Sequence, residues 1–231
     1  LPKEHEFESC ASASSATSAS QYFTRLGSIT KYIMGVKTEE AGMYFQTEQI
    51  KLRPFEAEDV LPLRAYLNHP KLGGRRYIPR GFPGDVPLST NQVEAIIKKW
   101  GDEKREAHLG IELTARQELI GHAEFEWSWD PMAPWMSIVI ARPFQRQGYG
   151  TQVAQLIMGY LFESTPAHSI SGWMADWNQA GRAFSHKLGF KESGKPRREG
   201  FREGAYFDGI LVDLLRSEYQ SSGGMRYAVG R

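Results

Sequence analysis

The chain has one cysteine in 231 residues, Cys10. That excludes an intramolecular disulfide framework and a cysteine-based zinc site. It has no apolar run near the ~18 to 20 residues that span a bilayer, and residues 1–30 lack the basic segment and apolar stretch of ~7 to 15 residues that make a secretory signal. It has no surplus charge: 28 Lys plus Arg against 27 Asp plus Glu leave +1 with neutral histidines. A general nucleic-acid binder would show a basic excess. No internal repeat is present. A hydrophobic content of 41% with 24% charged residues is ordinary for a globular chain and rules out a wholly disordered one. These absences leave the expectation of a soluble, cytoplasmic protein with neither nucleic acid nor membrane as partner and no metal.

What is present divides unevenly. Residues 11–20, ASASSATSAS, contain only Ala, Ser and Thr and cannot bury enough apolar surface to offset ordering. Residues 1–48 are therefore expected to be a disordered leader, native or added during expression; Glu4, Glu6 and Glu8 argue against an organelle transit peptide. Residues 49–220 carry the patterning of one domain. Residues 221–231, with Ser221, Ser222, Gly223 and Gly224, read as a flexible tail.

Within the domain, Ile50, Leu52 and Pro54 open a strand, and Glu56, Glu58 and Asp59 suit the positive end of a following helix. Ser89 with Gln92 forms a capping box for a second helix, in which Val93, Ile96, Ile97 and Trp100 share a face. Strands are expected at 107–114 and 118–129 around the Ala115-Arg116-Gln117 turn, and at Trp135–Ile140. Val153, Leu156, Ile157, Tyr160 and Leu161 then mark the strongest helix, each worth roughly 1.5–3 kcal/mol if fully buried. A strand at 169–174, a helix at 178–188 stopped by Gly189, and strands near 190–198 and 204–214 follow. The fold class is mixed α/β, in the order β-α-α-β-β-β-α-β-α-β-β.

Between the third strand and the strongest helix lies Gln145-Arg146-Gln147-Gly148-Tyr149-Gly150. A helix start offers unpaired amides and a positive dipole end, the glycines clear the approach, and Arg146 adds charge at the rim. A diphosphate suits such a place, although a tight turn would use the same glycines. A dinucleotide fingerprint is excluded by Val153 at its third glycine position, and a P-loop by the missing Gly-Lys-Ser/Thr ending.

The hexapeptide resembles the acetyl-CoA signature of the GNAT-superfamily N-acetyltransferases, Gln/Arg-x-x-Gly-x-Gly/Ala. Asn178, opening a helix that ends Lys187-Leu188-Gly189-Phe190, is similar to the block that follows that signature. Leu52-Arg53-Pro54-Phe55 and Gly204-Ala205-Tyr206-Phe207-Asp208 are similar to the branch that acetylates alanine- or serine-starting ribosomal proteins, which also includes polyamine and antibiotic acetyltransferases. The resemblance covers about residues 49–220. It implies a largely antiparallel central sheet flanked by helices and acetyl-CoA as co-substrate. The backbone of Ile138, Val139 and Ile140 would pair with the pantetheine arm. Gln145, Arg146, Gln147, Gly148, Tyr149, Gly150 and Thr151 would hold the diphosphate, and Asn178 would bond the pantetheine; as a helix N-cap, Asn178 also has a purely structural use.

Acyl transfer to an amine needs a neutral nucleophile and a proton for the leaving thiolate. The resemblance places a tyrosine acid seven residues after Asn178, but this chain has Ser185 there. Base candidates are Glu126, Glu124 and Glu199. Glu124, Glu126 and His122 alternate with Phe125 and Trp127, so they share one strand face: a polar wall of the acceptor groove, or a solvated face. His108, His122 and His186 have no metal-ligand spacing and read as structural or surface residues. Lys71, Arg75, Arg76 and Arg80 lie in a glycine-rich loop that would shape the acceptor pocket. Trp127, Trp129 and Trp135 suit an apolar pocket wall or a homodimer contact. The expected function is acetyl transfer from acetyl-CoA to a protein N-terminus or small amine. The alternatives are a non-catalytic acyl-CoA-binding regulator and an antibiotic-modifying enzyme.

Overall fold

The computed structural model describes residues 45–69, 87–127, 130, 132–202 and 204–221. Cys10, the Ala/Ser/Thr run, Lys71, Arg75, Arg76, Arg80, Trp129 and the chain beyond Ser221 lie outside the described residues. The elements are β1 (Ile50–Arg53), α1 (Val60–Leu67), α2 (Thr90–Asp102), β2 (Glu106–Leu113), β3 (Glu118–Glu126), β4 (Trp135–Ile140), α3 (Tyr149–Ser164), β5 (Ser169–Ala175), α4 (Gln179–Lys187), β6 (Lys191–Gly194), β7 (Gly200–Arg202), β8 (Ala205–Phe207), β9 (Gly209–Leu215) and α5 (Arg216–Ser221). The expected order holds as far as β6. Beyond it, the strand expected over 204–214 is two strands, and a terminal helix follows. Gly204, at φ 81°, turns β7 back into β8 as a separate hairpin. Asp208 then breaks the strand: its side chain accepts from the Arg198 amide at 2.9 Å and its carbonyl from the Asp176 amide at 2.9 Å.

Seven strands form one sheet in the order β1-β2-β3-β4-β5-β9-β6. Every neighbouring pair is antiparallel except β4 and β5, which run parallel and are registered at a single pair, Trp135 with Ser171. The body also reaches back before the first strand, because Phe45 packs against Tyr160 of α3 with ring centroids 5.2 Å apart.

The two sheet faces are covered differently. On one, α3 buries Val153, Leu156, Ile157 and Leu161 as its spacing predicts, and Phe125 of β3 meets Tyr160. Its far end is gripped by Arg216, which donates to the carbonyls of Phe162, Thr165 and Ala167. On the other face lie α1 and α2, packed through Val60, Leu63, Tyr66, Leu67 and Val93 against Leu119 and Ala141. The Ser89–Gln92 capping box starts α2 as expected.

These two helices correct the solvated reading of the His122–Glu124 face. At His122 and Glu124 it is not a solvated face, because α1 and α2 pack over these residues. His122 and Glu124 are buried. The Tyr66 hydroxyl hydrogen-bonds His122 Nδ1 at 2.8 Å, and Trp100 packs over both His108 and His122. Such groups are costly to bury unless partnered.

Burial drives the His122 pKa from 6.5 down to about 4, with Glu124 pulling it up and His108 pushing it further down. Between those two values the unfolded chain takes up a proton that the native protein excludes. Stability is therefore expected to fall on acidification across that window, by on the order of 3 kcal/mol from this residue. Glu126, raised by burial and by Glu106, acts in the opposite sense in the carboxylate range. Urea midpoints at neutral and mildly acid pH check the sign, and His122→Gln should flatten the slope.

Candidate active site

A parallel pair registered once leaves the rest of the two facing strand edges unpaired with each other. Beyond Trp135–Ser171, β4 continues through Ile138 and Ile140 while β5 diverges toward Asn178, and the space between them becomes a fork. A cavity of about 480 Å³ fills its open end, lined among others by Ile138, Ile140, Gln145, Arg146, Gly150 and Asn178.

The turn from β4 into α3 is held in an unusual shape. Arg146 at φ 67° and Gly148 at φ 88° are both left-handed, a conformation that suits glycine at the second position. Successive amides in such a turn point inward and form an anion nest. Among the described residues, the amides of Arg146, Gln147, Gly148, Tyr149 and Gly150 have no backbone acceptor. Gln145 uses its side-chain amide to hold the Ile140 carbonyl at 2.8 Å, which ties the nest to the end of β4. A Cβ on Gly148 would meet nothing within 4 Å, and one on Gly150 would make only ordinary contact with Phe184 and Ile140. The empty volume lies at the amides themselves.

The fork brings together Ile138, Ile140, Gln145, Arg146, Gly148, Gly150, Thr151 and Asn178. Three other expected binding residues stand apart: the Val139 side chain packs against the α1–α2 core, Gln147 donates to the Pro143 carbonyl, and Tyr149 is outside the lining. Asn178 caps α4, its side chain accepting from the Gly181 amide at 3.2 Å, and also lines the cavity. Missed from sequence were Ala180, Ala183, Phe184 and Lys187, which present one face of α4 to the cavity at helical spacing.

The acid–base candidates are dispersed. Ser185 is buried, and its hydroxyl donates to the Arg182 carbonyl at 2.9 Å. Glu124 lies opposite Ser137 of β4, and Glu126 opposite Trp135, one pair deeper than the fork. Glu126 lines a second cavity of about 490 Å³ with Glu106 and Trp127. Glu199 is exposed, close to Gly209 and so to Trp173 of β5.

A family model described as an acetyltransferase (GNAT) domain matches residues 49–191, well over half of the chain. The chain belongs to the GNAT acetyltransferase family. Two Bacillus subtilis (strain 168) relatives are similar to it. The SPbeta prophage-derived uncharacterized N-acetyltransferase YokL is 23% identical over 87 residues, 38% of this chain and 49% of that protein. YdaF, provisionally named a ribosomal N-acetyltransferase, is 28% identical over 81 residues, 35% of this chain and 44% of that protein. The chain thus spans about half the length of the curated relatives it matches. Among solved structures, a Bacillus anthracis GNAT-family acetyltransferase superposes with a TM-score of 0.64 at 19% identity, covering 75% of this chain and 99% of that one. Spermidine N-acetyltransferase from Vibrio cholerae, in complex with CoA and spermine, has the same TM-score at 22% identity and the same coverage. At these identities the structures establish the fold.

For a GNAT chain the nest, the glycine-cleared volume and the two cations Arg146 and Lys187 fit a CoA diphosphate, whose charge they complement. Gly148→Glu is expected to weaken CoA binding by at least about 100-fold, or ~3 kcal/mol, because a carboxylate would occupy the nest and strain a left-handed position. Titration calorimetry on the folded variant measures this. Gly148→Asn, which tolerates that backbone, should keep most of the affinity.

Proposed function

We propose that this chain is an acetyl-CoA-dependent N-acetyltransferase that moves the acetyl group directly to a primary amine, either a polypeptide N-terminus or a small amine. The carrying observation is the turn of five amides, without a backbone acceptor among the described residues, at the open end of the β4–β5 fork. Bound there, acetyl-CoA supplies a thioester whose carbonyl carbon an amine can attack. The arm of a molecule anchored in the nest would run back along β4 toward Trp135. Its reacting end would then meet the base of the fork, level with Met136 and Ser137.

The acceptor would approach from the opposite face. Ile138 and Ile140 turn their side chains to the cavity, so Ser137 and Val139 turn the other way. On that side α1 and α2 cover only part of the sheet, and Trp173 on β5 is 44% exposed. Of the three carboxylates, Glu124 suits a general base best. It shares a face with Ser137 at the level of the fork, whereas Glu126 lies beyond its closed end, against Glu106. Glu199, across the fork near Trp173, is suited to hold the acceptor's cationic end. Ser185, its proton committed to Arg182, leaves the departing thiolate to be protonated by water. Direct transfer needs no enzyme nucleophile, in keeping with the absence of cysteine from the domain.

The names of one relative and one structural neighbour suggest two acceptor classes to try, ribosomal proteins and spermidine. Release of free CoA thiol from acetyl-CoA, measured against peptides starting with alanine or serine and against spermidine, tests the reading. Thiol release with one class is the expected result. CoA binding with no release for any amine would support the acyl-CoA-binding regulator instead. With an acceptor identified, Glu124→Gln is expected to lower kcat by ~10²–10⁴-fold while acetyl-CoA affinity is retained; an undiminished kcat would shift the role to Glu199 or Glu126.

A further inference from the structure

The row of side chains at the fork continues onto its far strand. Residues opposite one another in the ladders share a face, so Glu124 lies with Ser137, Trp135 with Ser171, and Trp173 with Leu211. Ser137 and Trp173 each stand two residues past the Trp135–Ser171 pair. Trp173 is therefore level with Ser137 and Glu124, across the fork and on the same face. The strands are still neighbours just below this level, since a Cβ on Gly172 would come 3.6 Å from the Met136 carbonyl oxygen. At this level the Trp173 indole is 44% exposed.

Exposed as it is, the ring lies close against the backbone. A Cβ added to Gly209 would fall 2.5 Å from Trp173 Nε1, too close for any side chain, so the indole rests on bare β9 and the glycine makes room for it. The same point is 3.4 Å from Glu199 Cγ. An indole and an exposed acidic side chain thus flank one glycine. The cations of the adjoining loop are turned elsewhere. Lys195 is 3.2 Å from Asp208, Arg197 adds its charge to the same carboxylate, and Arg198 lies 5.7 Å from the Tyr206 ring centroid. Among the described residues, Glu199 has no ion-pair partner.

We infer that Trp173 is a specificity-determining residue that, together with Glu199, selects an alkyl polyamine as the acceptor. The inference rests on the acetyltransferase reading above. The reacting nitrogen stands at the fork beside Ser137 and Glu124, the methylenes behind it cross the indole face, and the next ammonium meets the Glu199 carboxylate. Ala175, the partner of Gly209, is two residues beyond Trp173. That is about 7 Å along the strand, a distance that a chain of about four carbons spans. Each part of the surface matches a part of this ligand. The indole takes methylenes by burial and a nearby cation by the negative face of its ring. The exposed carboxylate alone would be a weak, salt-screened anchor, and the indole beside it adds apolar area and keeps water from one side. A polypeptide acceptor would instead lay peptide groups, which need hydrogen-bond partners, across the indole and Leu211.

Initial rates on the full chain with acetyl-CoA test this, using diaminobutane against butylamine, which has the same carbon chain and no second charge. The wild type is expected to favour diaminobutane in kcat/KM by about 10-fold or more, with the difference carried by KM. Trp173→Leu and Glu199→Gln should each cut that ratio by about 3- to 10-fold, and Trp173→Phe, which keeps an aromatic face, should retain most of it. A merely structural role for Trp173 would lower both amines together and leave the ratio where it was. An unchanged ratio in folded Trp173→Leu would overturn the inference. So would a wild-type ratio near one, or a higher kcat/KM for a peptide starting with alanine than for the diamine. Glu199→Gln, at an exposed position, keeps the test decisive if Trp173→Leu does not fold: an unchanged ratio there also sinks the inference. Failure of the underlying reading looks different: the wild-type chain would then release no thiol with any amine.

Discussion

β4 and β5 run in the same direction, so the chain must cross from the end of one to the start of the other, and α3 is that crossover. A crossover helix has to begin where the first strand ends. Its free amides and positive dipole end are therefore delivered to the mouth of the gap between the two strands. The left-handed pair Arg146 and Gly148 bends the chain sharply enough to point those amides into the gap. At the other end, Arg216 ties three carbonyls around the finish of α3, so the helix is anchored at both termini. The nest, the fork and the cavity are consequences of one parallel pairing in an otherwise antiparallel sheet.

The sheet's other face shows how a polar surface can be sealed without being neutralised by apolar substitution. β3 alternates Phe125 toward α3 with His122 and Glu124 toward α1 and α2. Closing two helices over that row demands partners for each group, and these come from elements far apart in sequence: Tyr66 from α1, Trp100 from α2, Glu106 and His108 from β2. Buried polar rows of this kind are demanding to satisfy, and when satisfied they fix the packing geometry narrowly. Here they fasten β2 and β3 to α1 and α2, with Glu124 paired to Ser137 of β4.

Much of this was legible in sequence for local reasons. The spacing of Val153, Leu156, Ile157, Tyr160 and Leu161 names a helix, the β-branched Ile138-Val139-Ile140 names a strand, and Gly148 with Gly150 between them names the turn. Asn178 was legible because its N-cap role and its place beside the cavity coincide. The β7–β8 hairpin was not, since Asp208 interrupts the last strand through a bond to Arg198, and nothing in the strand's alternation marks it. The cover over His122 and Glu124 was illegible for a different reason. Alternation says that two residues share a face, and it is silent on what lies against that face. The position of Glu126 and Glu124 relative to the fork was not legible either, because only cross-strand register says where β4 and β5 part. The basic loop carrying Lys71, Arg75, Arg76 and Arg80 lies outside the described residues, and with it most of what the sequence says of the acceptor pocket.

The single register pair between β4 and β5 also bears on how the protein melts. Across the seam between β1 to β4 and β5-β9-β6, backbone bonding is confined to its start, where the Ser171 amide donates to the Pro134 carbonyl at 2.9 Å and the His168 amide to the Met132 carbonyl at 2.7 Å. Beyond that start, what joins the two halves is the crossover helix and its side-chain packing. A molecule that lies in the fork and bonds to both sides supplies the missing rungs of the ladder. A ligand bonded to both edges would couple the opening of the two halves. A co-substrate bound in this way would be a structural member of the sheet as well as a reactant, and each turnover would dismantle and rebuild the continuity of the protein's own core.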